Sequence, residues 1–242
     1  MRQVPILLYH WFDVPEAPAR TQSPQLCIRP ADFRAQMEYL KRKGYQSVRL
    51  SDAITGEALP PKPIVISFDD GTLDFWKYAR PALTDCGYTA TLFVVTDYVG
   101  GESSWDAALG EPARPLMSWE QVAELQSEGH EIGSHTHAHR VLTDLDDAEA
   151  QHQLAESRRV LAERMGGAPD LLAYPRGFYE ERHKRLAREA GYRGACAVIL
   201  NVGDLRRADD YALMRMPIKG TESMLRFRLR LALAKRIRLR AS

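Results

Sequence analysis

The sequence predicts an α/β fold in which about seven parallel strands close into a barrel within a single domain. Short apolar runs alternate with helical stretches from one end of the 242-residue chain to the other. This alternation is typical of parallel strands joined by crossover helices. No linker divides the chain, and an apolar fraction of 45% is ordinary for a globular core. Barrel-like closure is therefore favoured over two separate folds.

The predicted strands are short apolar or β-branched runs bounded by turn residues. In chain order they are residues 6–9, 46–50, 64–68, 89–95, 131–134, 171–174 and 195–200. Helices are predicted between them, where apolar residues recur at helical spacing and a glycine follows. In chain order these are residues 30–43, 52–54, 73–86, 119–128, 145–165 and 179–190.

Polar residues indicate where two of these helices begin and where loops lie. Ser118 is predicted to cap the helix that follows it, with Gln121 as its capping-box partner. Ser51-Asp52 is predicted to cap a short helix. Residues 11–29 and 97–117 are predicted loops, and an insertion as long as the second is usually functional or mobile in a compact domain.

Charge and cysteine content exclude several classes of function. The 33 basic and 32 acidic residues nearly cancel, so the net charge of +1 predicts no nucleic-acid partner. The three cysteines are widely spaced, which argues against a disulfide framework or a zinc knuckle. The sequence shows no signal-peptide pattern and no apolar run of about 18 residues, so the expected location is the cytoplasm.

Two polar clusters follow predicted strands. Ser67-Phe68-Asp69-Asp70-Gly71 places two carboxylates at the end of a core strand, and His135-Thr136-His137-Ala138-His139 places three imidazoles at the end of another. Two imidazoles and one carboxylate leave open positions on a metal, as catalytic sites require. The second carboxylate would be free to act as a base on a water. The alternatives are a solvated Asp-Asp-Gly turn and a His-rich surface loop.

These clusters resemble the motifs of the polysaccharide deacetylases of carbohydrate esterase family four, over about residues 4–218. The first is similar to Thr/Ser-Phe-Asp-Asp-Gly and the second to His-Ser/Thr-x-x-His. The resemblance implies a distorted (β/α) barrel, removal of N-acetyl groups from an N-acetylhexosamine glycan, and Asp69 as general base. It also implies a divalent metal, with zinc expected and cobalt or nickel as alternatives. The implied ligands are Asp70, His135 and His139, with His137 outside the set.

The chain departs from the family pattern at two points. The family motif Arg-x-Pro-x-Gly corresponds here to Ala173-Tyr174-Pro175-Arg176-Gly177, so the arginine that orients the base is missing and another group must hold Asp69. The backbone N–H of Arg176 is still expected to donate to an oxyanion. The late Leu-x-His motif with the general acid is absent from residues 213–218.

Leu8-Tyr9-His10 has the pattern of that late motif at the other end of the chain. The chain therefore resembles the permuted branch that deacetylates poly-N-acetylglucosamine exopolysaccharide, and this resemblance implies His10 as general acid. The alternative for His10 is a histidine that simply ends a core strand.

Three aromatic residues are further candidates for substrate contact. Trp105 and Trp11 lie in predicted rim loops, where their rings could stack on sugars, and Tyr174 lies in the segment of the oxyanion donor. Two other functions stay open for the whole site. One is hydrolysis of another amide or imide bond on the same barrel. The other is glycan binding by a catalytically degenerate module.

The chain is expected to divide into a catalytic domain, residues 1–220, and a basic, apolar-rich tail, residues 221–242. The tail has seven Lys or Arg and one acid, which makes the rest of the chain net acidic. Strict apolar–basic alternation from Leu225 to Arg230 indicates a strand, but the residue types favour a helix capped by Ser223. A helix is predicted. Its hypothesised roles are peripheral contact with an anionic membrane, at the inner face, and simple packing with solvated arginines.

Overall fold

The computed structural model describes residues 4–14, 21–56, 58–198 and 209–234. Within those residues there are ten strands and seven α-helices. The strands are β1 (Ile6–Tyr9), β2 (Trp11–Phe12), β3 (Cys27–Ile28), β4 (Gln46–Ser47), β5 (Pro63–Phe68), β6 (Thr91–Val94), β7 (Glu131–Ser134), β8 (Leu171–Ala173), β9 (Gly194–Val198) and β10 (Leu213–Pro217). The helices are α1 (Pro30–Arg42), α2 (Leu50–Thr55), α3 (Arg80–Cys86), α4 (Trp119–Ser127), α5 (Asp147–Met165), α6 (Glu181–Glu189) and α7 (Met224–Ala234).

Seven of the strands form a closed parallel barrel. Their order is β1, β10, β9, β8, β7, β6 and β5, and the pairing of β1 with β5 closes the ring. β1 thus lies between β10 and β5, with Leu7 opposite Met216 on one side and Ile66 on the other. The predicted fold class is confirmed. Because the strands are parallel, their C-terminal ends meet at one rim, where such barrels build their sites.

The strand predictions are right for six of the seven barrel strands and wrong for the seventh. The strand predicted at residues 46–50 is only the two-residue β4, which pairs with the beginning of β5. The remaining barrel strand is β10, which was not predicted because Arg215 interrupts its apolar run. The predicted loop at residues 11–29 contains β2 and β3, which pair with each other outside the barrel.

Alternation along the strands separates an inner core from an outer one. The inner cluster contains Ile6, Val65, Phe93, Leu171, Ala173 and Cys196, together with Leu50 of α2. The outward side chains of the strands pack against the helices in two further clusters. Inward side chains near the C-terminal ends of the strands therefore reach the site at the rim from inside the barrel.

The starts of α4 and α2 are stabilised in different ways. The predicted capping box of α4 is present, because Ser118 Oγ accepts from the backbone of Gln121 and Gln121 Oε1 accepts from the backbone of Ser118. The cap predicted for α2 is wrong, because no side chain at its own N-terminus caps it. Instead the carboxylate of Glu131, on β7, accepts from the N–H groups of Leu50 and Ser51.

The described part of the tail, residues 221–234, contains the predicted helix. α7 begins after Ser223, whose Oγ accepts from the backbone N–H of Arg226 at 3.3 Å. Phe227 and Leu231 are buried in the same core cluster as the apolar face of α1. Residues 235–242 lie outside the described part, and the domain boundary at residue 220 stays a prediction. Among the described residues, no helix combines the length and apolarity needed to cross a membrane.

We expect replacement of Ser118 by alanine to lower the free energy of unfolding by about 1 kcal/mol, because α4 loses a capping hydrogen bond. Ser51→Ala is the matched control, since the sequence predicts a cap there and the structure assigns that role to Glu131. Ser51→Ala should change stability by less than about 0.5 kcal/mol. Urea denaturation of both variants measures the difference, and equal losses would contradict this account of the two helix starts.

Candidate active site

A sharp turn at the end of β5 separates the two adjacent carboxylates. Asp70 and Gly71 have positive φ angles of 74° and 76°. A side chain at Gly71 would lie 3.0 Å from Val94 Cγ1, so glycine suits the position. Because the extended backbone stops at Phe68, the carboxylates of Asp69 and Asp70 reach different neighbours.

The two outer histidines of the His-rich stretch follow β7 and face Asp70. His135 Nδ1 lies 2.8 Å from the backbone oxygen of Ala173, on β8, which fixes the ring with Nε2 directed into the site. Thr136 and His139 have positive φ angles of 67° and 54°, so the chain bends tightly after the strand. This bend brings the His139 ring to 4.8 Å from the His135 ring, measured between centroids.

Asp70, His135 and His139 form a buried group that suits a divalent metal. Nε2 of each histidine lies 3.6 Å from Asp70 Oδ1, and the candidate ligand atoms all lie within 4.8 Å of one another. Ligands bound at about 2.0–2.1 Å in a tetrahedral site lie roughly 3.4 Å apart, so little movement would be needed. Nitrogen and oxygen donors of this kind suit zinc, and cobalt or nickel as well.

The middle histidine of the stretch lies outside this group. His137 Nδ1 is 3.0 Å from Thr96 Oγ1, and its Nε2 is 3.7 Å from a carboxylate oxygen of Asp97. The structure thus assembles the three ligand residues that the resemblance implies and leaves His137 apart.

The protonation behaviour of the group also favours a cation. Burial, together with the charge of Asp69, raises the pKa of Asp70 to about 8. Burial lowers the pKa of both His135 and His139, so their imidazoles are neutral and able to ligate at pH 7. A buried carboxylate with a raised pKa lacks a positive partner. A divalent ion would supply the charge that a proton otherwise provides.

Asp69 is held by an arginine that the sequence motifs did not identify. Arg215, on β10, is fully buried and donates to both carboxylate oxygens of Asp69 at 2.6 and 2.7 Å. Burial opposes ionisation of Asp69, but Arg215 outweighs it and lowers the pKa of Asp69 to about 2. This guanidinium takes the place of the arginine that the family motif has at position 173. The signal for it was a single charged residue within an apolar stretch, Leu213-Met214-Arg215-Met216-Pro217.

His10 follows β1 directly and lies within the electrostatic influence of the same groups. Burial lowers its pKa to about 4; the charge of Asp69 raises it, and those of Arg215 and His135 lower it. His10 is therefore neutral at pH 7 in this structure. These interactions place His10 near Asp69 and His135, and its role as an acid stays a prediction.

Trp11 does not lie on an open rim, and the idea that it stacks on a sugar ring is corrected. It is only 4% exposed, and its indole Nε1–H donates to Asp70 Oδ2 at 2.8 Å. The guanidinium of Arg114 lies over the indole ring at 4.2 Å from its centroid. Trp11 thus orients one oxygen of Asp70 while the other faces the histidines, and Arg114 of the insertion at residues 97–117 fixes the indole.

The other predicted substrate residues have different surroundings. Tyr174 is a correction, because its side chain is fully buried and its hydroxyl donates to the backbone oxygen of Tyr211, so this side chain cannot contact a glycan. Trp105 is partly exposed, and its ring lies 4.7 Å from that of His139. Arg176 has a positive φ of 58° and pairs with Asp106 at 2.6 Å, which ties the insertion to the segment after β8.

The fold is a closed parallel barrel, and an Asp-His-His group lies beside an ion-paired carboxylate. Together they define a barrel protein with a candidate site for metal-assisted hydrolysis. The model of the polysaccharide deacetylase family matches residues 56–195, and the chain belongs to this family. The matched segment contains Asp69 and the three candidate ligands, whereas His10 and Arg215 lie outside it.

Individual relatives extend the comparison. YxkH of Bacillus subtilis (strain 168), which is named as a polysaccharide deacetylase, is 27% identical over 194 residues, 78% of this chain and 62% of its own length. The poly-beta-1,6-N-acetyl-D-glucosamine N-deacetylase of Escherichia coli (strain K12) is 28% identical over 119 residues, 46% of this chain and 18% of its own. The chain thus spans less than two thirds of either protein.

A solved structure agrees in fold. The Streptococcus pyogenes deacetylase PplD, determined in complex with acetate, has a TM-score of 0.74 and 23% identity, with 93% of this chain and 96% of that chain covered. The likeness in fold therefore extends over more of the chain than residues 56–195, which the family model matches.

We expect Trp11→Phe to weaken zinc binding by about tenfold, because Asp70 loses the donor that orients it while the aromatic ring stays in place. Competition with a chromogenic chelator measures the dissociation constant. Trp76→Phe is the matched control, since Trp76 also lies beneath a guanidinium, that of Arg80 at 3.9 Å, and is not one of the candidate site residues. If Trp11→Phe binds zinc as tightly as this control, the indole hydrogen bond does not orient the ligand.

Proposed function

We propose that this chain is a metal-dependent N-deacetylase that removes acetyl groups from a glycan containing N-acetylhexosamine. The strongest support is that one turn carries two adjacent carboxylates with different surroundings. Asp69 is held ionised by Arg215, and the next residue, Asp70, faces two neutral histidines. A base and a metal ligand are thus adjacent in the chain yet electrostatically distinct.

Asp70, His135 and His139 would hold the metal. When bound, a divalent ion there supplies Lewis acidity, which polarises a carbonyl oxygen and lowers the pKa of a water to about 7. The three side chains are buried and bring one negative charge, and their fixed positions limit the motion of whatever they bind. The proposed metal is zinc.

Asp69 acts as the general base. Its carboxylate accepts a proton from the water that attacks the acetamide carbon, and Arg215 keeps both oxygens in a fixed orientation. The low pKa means that Asp69 is ionised over the whole working range of pH. The carbon–nitrogen bond then breaks, and water and amide become acetate and a free amine.

His10 and Arg176 complete the reaction. The backbone N–H of Arg176 donates to the oxygen on which negative charge develops. The proton that Asp69 takes from the water passes to His10, which delivers it to the departing amine as general acid.

The proposed substrate is an exopolysaccharide, or its precursor, that contains N-acetylglucosamine. The Escherichia coli relative named for poly-beta-1,6-N-acetyl-D-glucosamine supports this class, over less than half of the chain. Trp105, beside His139, offers a partly exposed ring for a sugar. The alternative function, glycan binding by a catalytically degenerate module, was suggested mainly by the missing arginine at position 173. Arg215 supplies a guanidinium in its place, which weakens this alternative.

The first test is acetate release from N-acetylglucosamine oligomers, with and without a chelator and added Zn²⁺ or Co²⁺. We expect release that a chelator abolishes and metal restores. Asp69→Asn and His10→Ala should each lower turnover by at least about 100-fold at unchanged metal content, because each removes a proton-transfer group. Activity of Asp69→Asn equal to the wild type would refute the base. Bound metal without acetate from any oligomer, but with cleavage of a cyclic imide, would favour the other hydrolase.

A second test concerns the ion pair. We expect Arg215→Met to lower kcat by about 100-fold and to move the acid limb of the rate profile to higher pH. The sign follows because Asp69 loses its cation, its pKa rises, and the ionised base is therefore lost at a higher pH.

Arg215→Lys covers the case in which Arg215→Met does not fold, since it keeps the charge but not the two-point contact. It should lower kcat while leaving the acid limb nearly in place. Arg193→Lys, at the exposed pair with Asp170, is the matched control and should leave the rate unchanged. An acid limb that stays fixed in Arg215→Met would remove the positioning role of Arg215.

A further inference from the structure

The sequence of α7 places two apolar stripes on opposite sides of one helix. A helix turns by about 100° per residue, so residues two apart lie on opposite faces and residues four apart share a face. Strict alternation from Leu225 onward therefore separates into two sets. Phe227 and Leu231 form one stripe and are buried on the barrel side. Leu225, Leu229 and Leu233 form the other, which we call the leucine ridge.

The leucine ridge is exposed along its length. Its three side chains are 66%, 57% and 55% exposed. Among the described residues only two other large apolar side chains reach comparable exposure, Leu109 and Phe178, and neither adjoins this helix in sequence. Single exposed leucines need no explanation, whereas three in a row on one helix face indicate a surface that is covered by something.

Basic side chains surround the ridge. Arg226 is 73% exposed beside Leu225, and the guanidinium of Arg228 lies over the ring of Tyr39, at 4.8 Å, on the flank of α1. Four further basic residues, Lys235, Arg236, Arg238 and Arg240, follow in the sequence. The only acid of the tail, Glu222, is buried and paired with Arg230 at 2.8 Å. Among the described residues, arginines therefore flank the ridge, and residues 221–234 contain no exposed acid.

We propose that the leucine ridge and its arginines dock this protein on a membrane surface that contains anionic lipid. A helix with an apolar stripe between basic residues inserts at the boundary between headgroups and acyl chains, and its cations pair with anionic headgroups. The charge of the tail argues against a second copy of the chain, because an α7–α7 contact would bring two strongly basic segments together. The opposite face of α7 is packed on the barrel, so docking needs no unfolding.

The test is flotation of the full chain with vesicles of phosphatidylcholine containing phosphatidylglycerol. We expect binding that weakens as salt is raised and is absent with phosphatidylcholine alone. The triple variant Leu225→Gln/Leu229→Gln/Leu233→Gln should bind at least about tenfold more weakly. Leu109→Gln is the matched control, since Leu109 is equally exposed elsewhere, and it should bind like the wild type.

Three outcomes would overturn the proposal. One is unchanged vesicle binding of the triple variant, and a second is equal binding to vesicles without anionic lipid. The third is a dimer of the wild type by analytical ultracentrifugation that becomes a monomer in the triple variant, which would assign the ridge to a second copy. Circular dichroism confirms that the exposed substitutions leave the fold intact. The assay measures no acetate, so its result is independent of the proposed deacetylase activity.

Discussion

The buried ion pair between Arg215 and Asp69 is the constraint on which the rest of the site depends. A buried pair repays the cost of desolvation only when its geometry is good and its remaining polar atoms are satisfied. Here each carboxylate oxygen of Asp69 accepts a hydrogen bond from Arg215. Ser67 Oγ and the backbone oxygen of Ala197 lie 3.5 Å from nitrogens of the same guanidinium. Loss of either partner would leave an uncompensated charge inside the barrel. The pair therefore fixes both the ionisation and the orientation of Asp69.

The same pair determines what the neighbouring residue can do. The fixed negative charge of Asp69 and burial together raise the pKa of Asp70, so two identical side chains at adjacent positions have pKa values of about 2 and about 8. Environments that separate two like groups in this way commonly assign them different chemical roles. The turn at Gly71 makes the separation possible, because it directs one carboxylate to Arg215 and the other to the histidines.

Much of this arrangement could be predicted from the sequence, and the predictions that were wrong or missing have physical reasons. Six barrel strands and the capping box at Ser118 follow from local patterns, and Asp69, Asp70 and the histidines follow from short motifs at strand ends. Arg215 could not be found in this way, because its partner is 146 residues away and inward side chains from any strand can reach the barrel interior. Trp11 was misplaced for a similar reason. Its loop position indicated exposure, whereas tertiary packing with Arg114 buries it.

Closure of the barrel explains why the site is complete although its parts come from distant segments. β1 pairs with both β10 and β5, so three neighbouring strands supply His10, Arg215 and Asp69. Position 173, on β8, carries alanine, and the guanidinium that the family motif expects there enters from β10 instead. A guanidinium that holds this carboxylate can enter from a different strand, provided that its side chain faces the same interior. The segment that matches the family model, residues 56–195, therefore contains the proposed base and the candidate metal ligands but only part of the proposed catalytic machinery. β1 must pair with both β5 and β10 before His10, Asp69 and Arg215 are assembled.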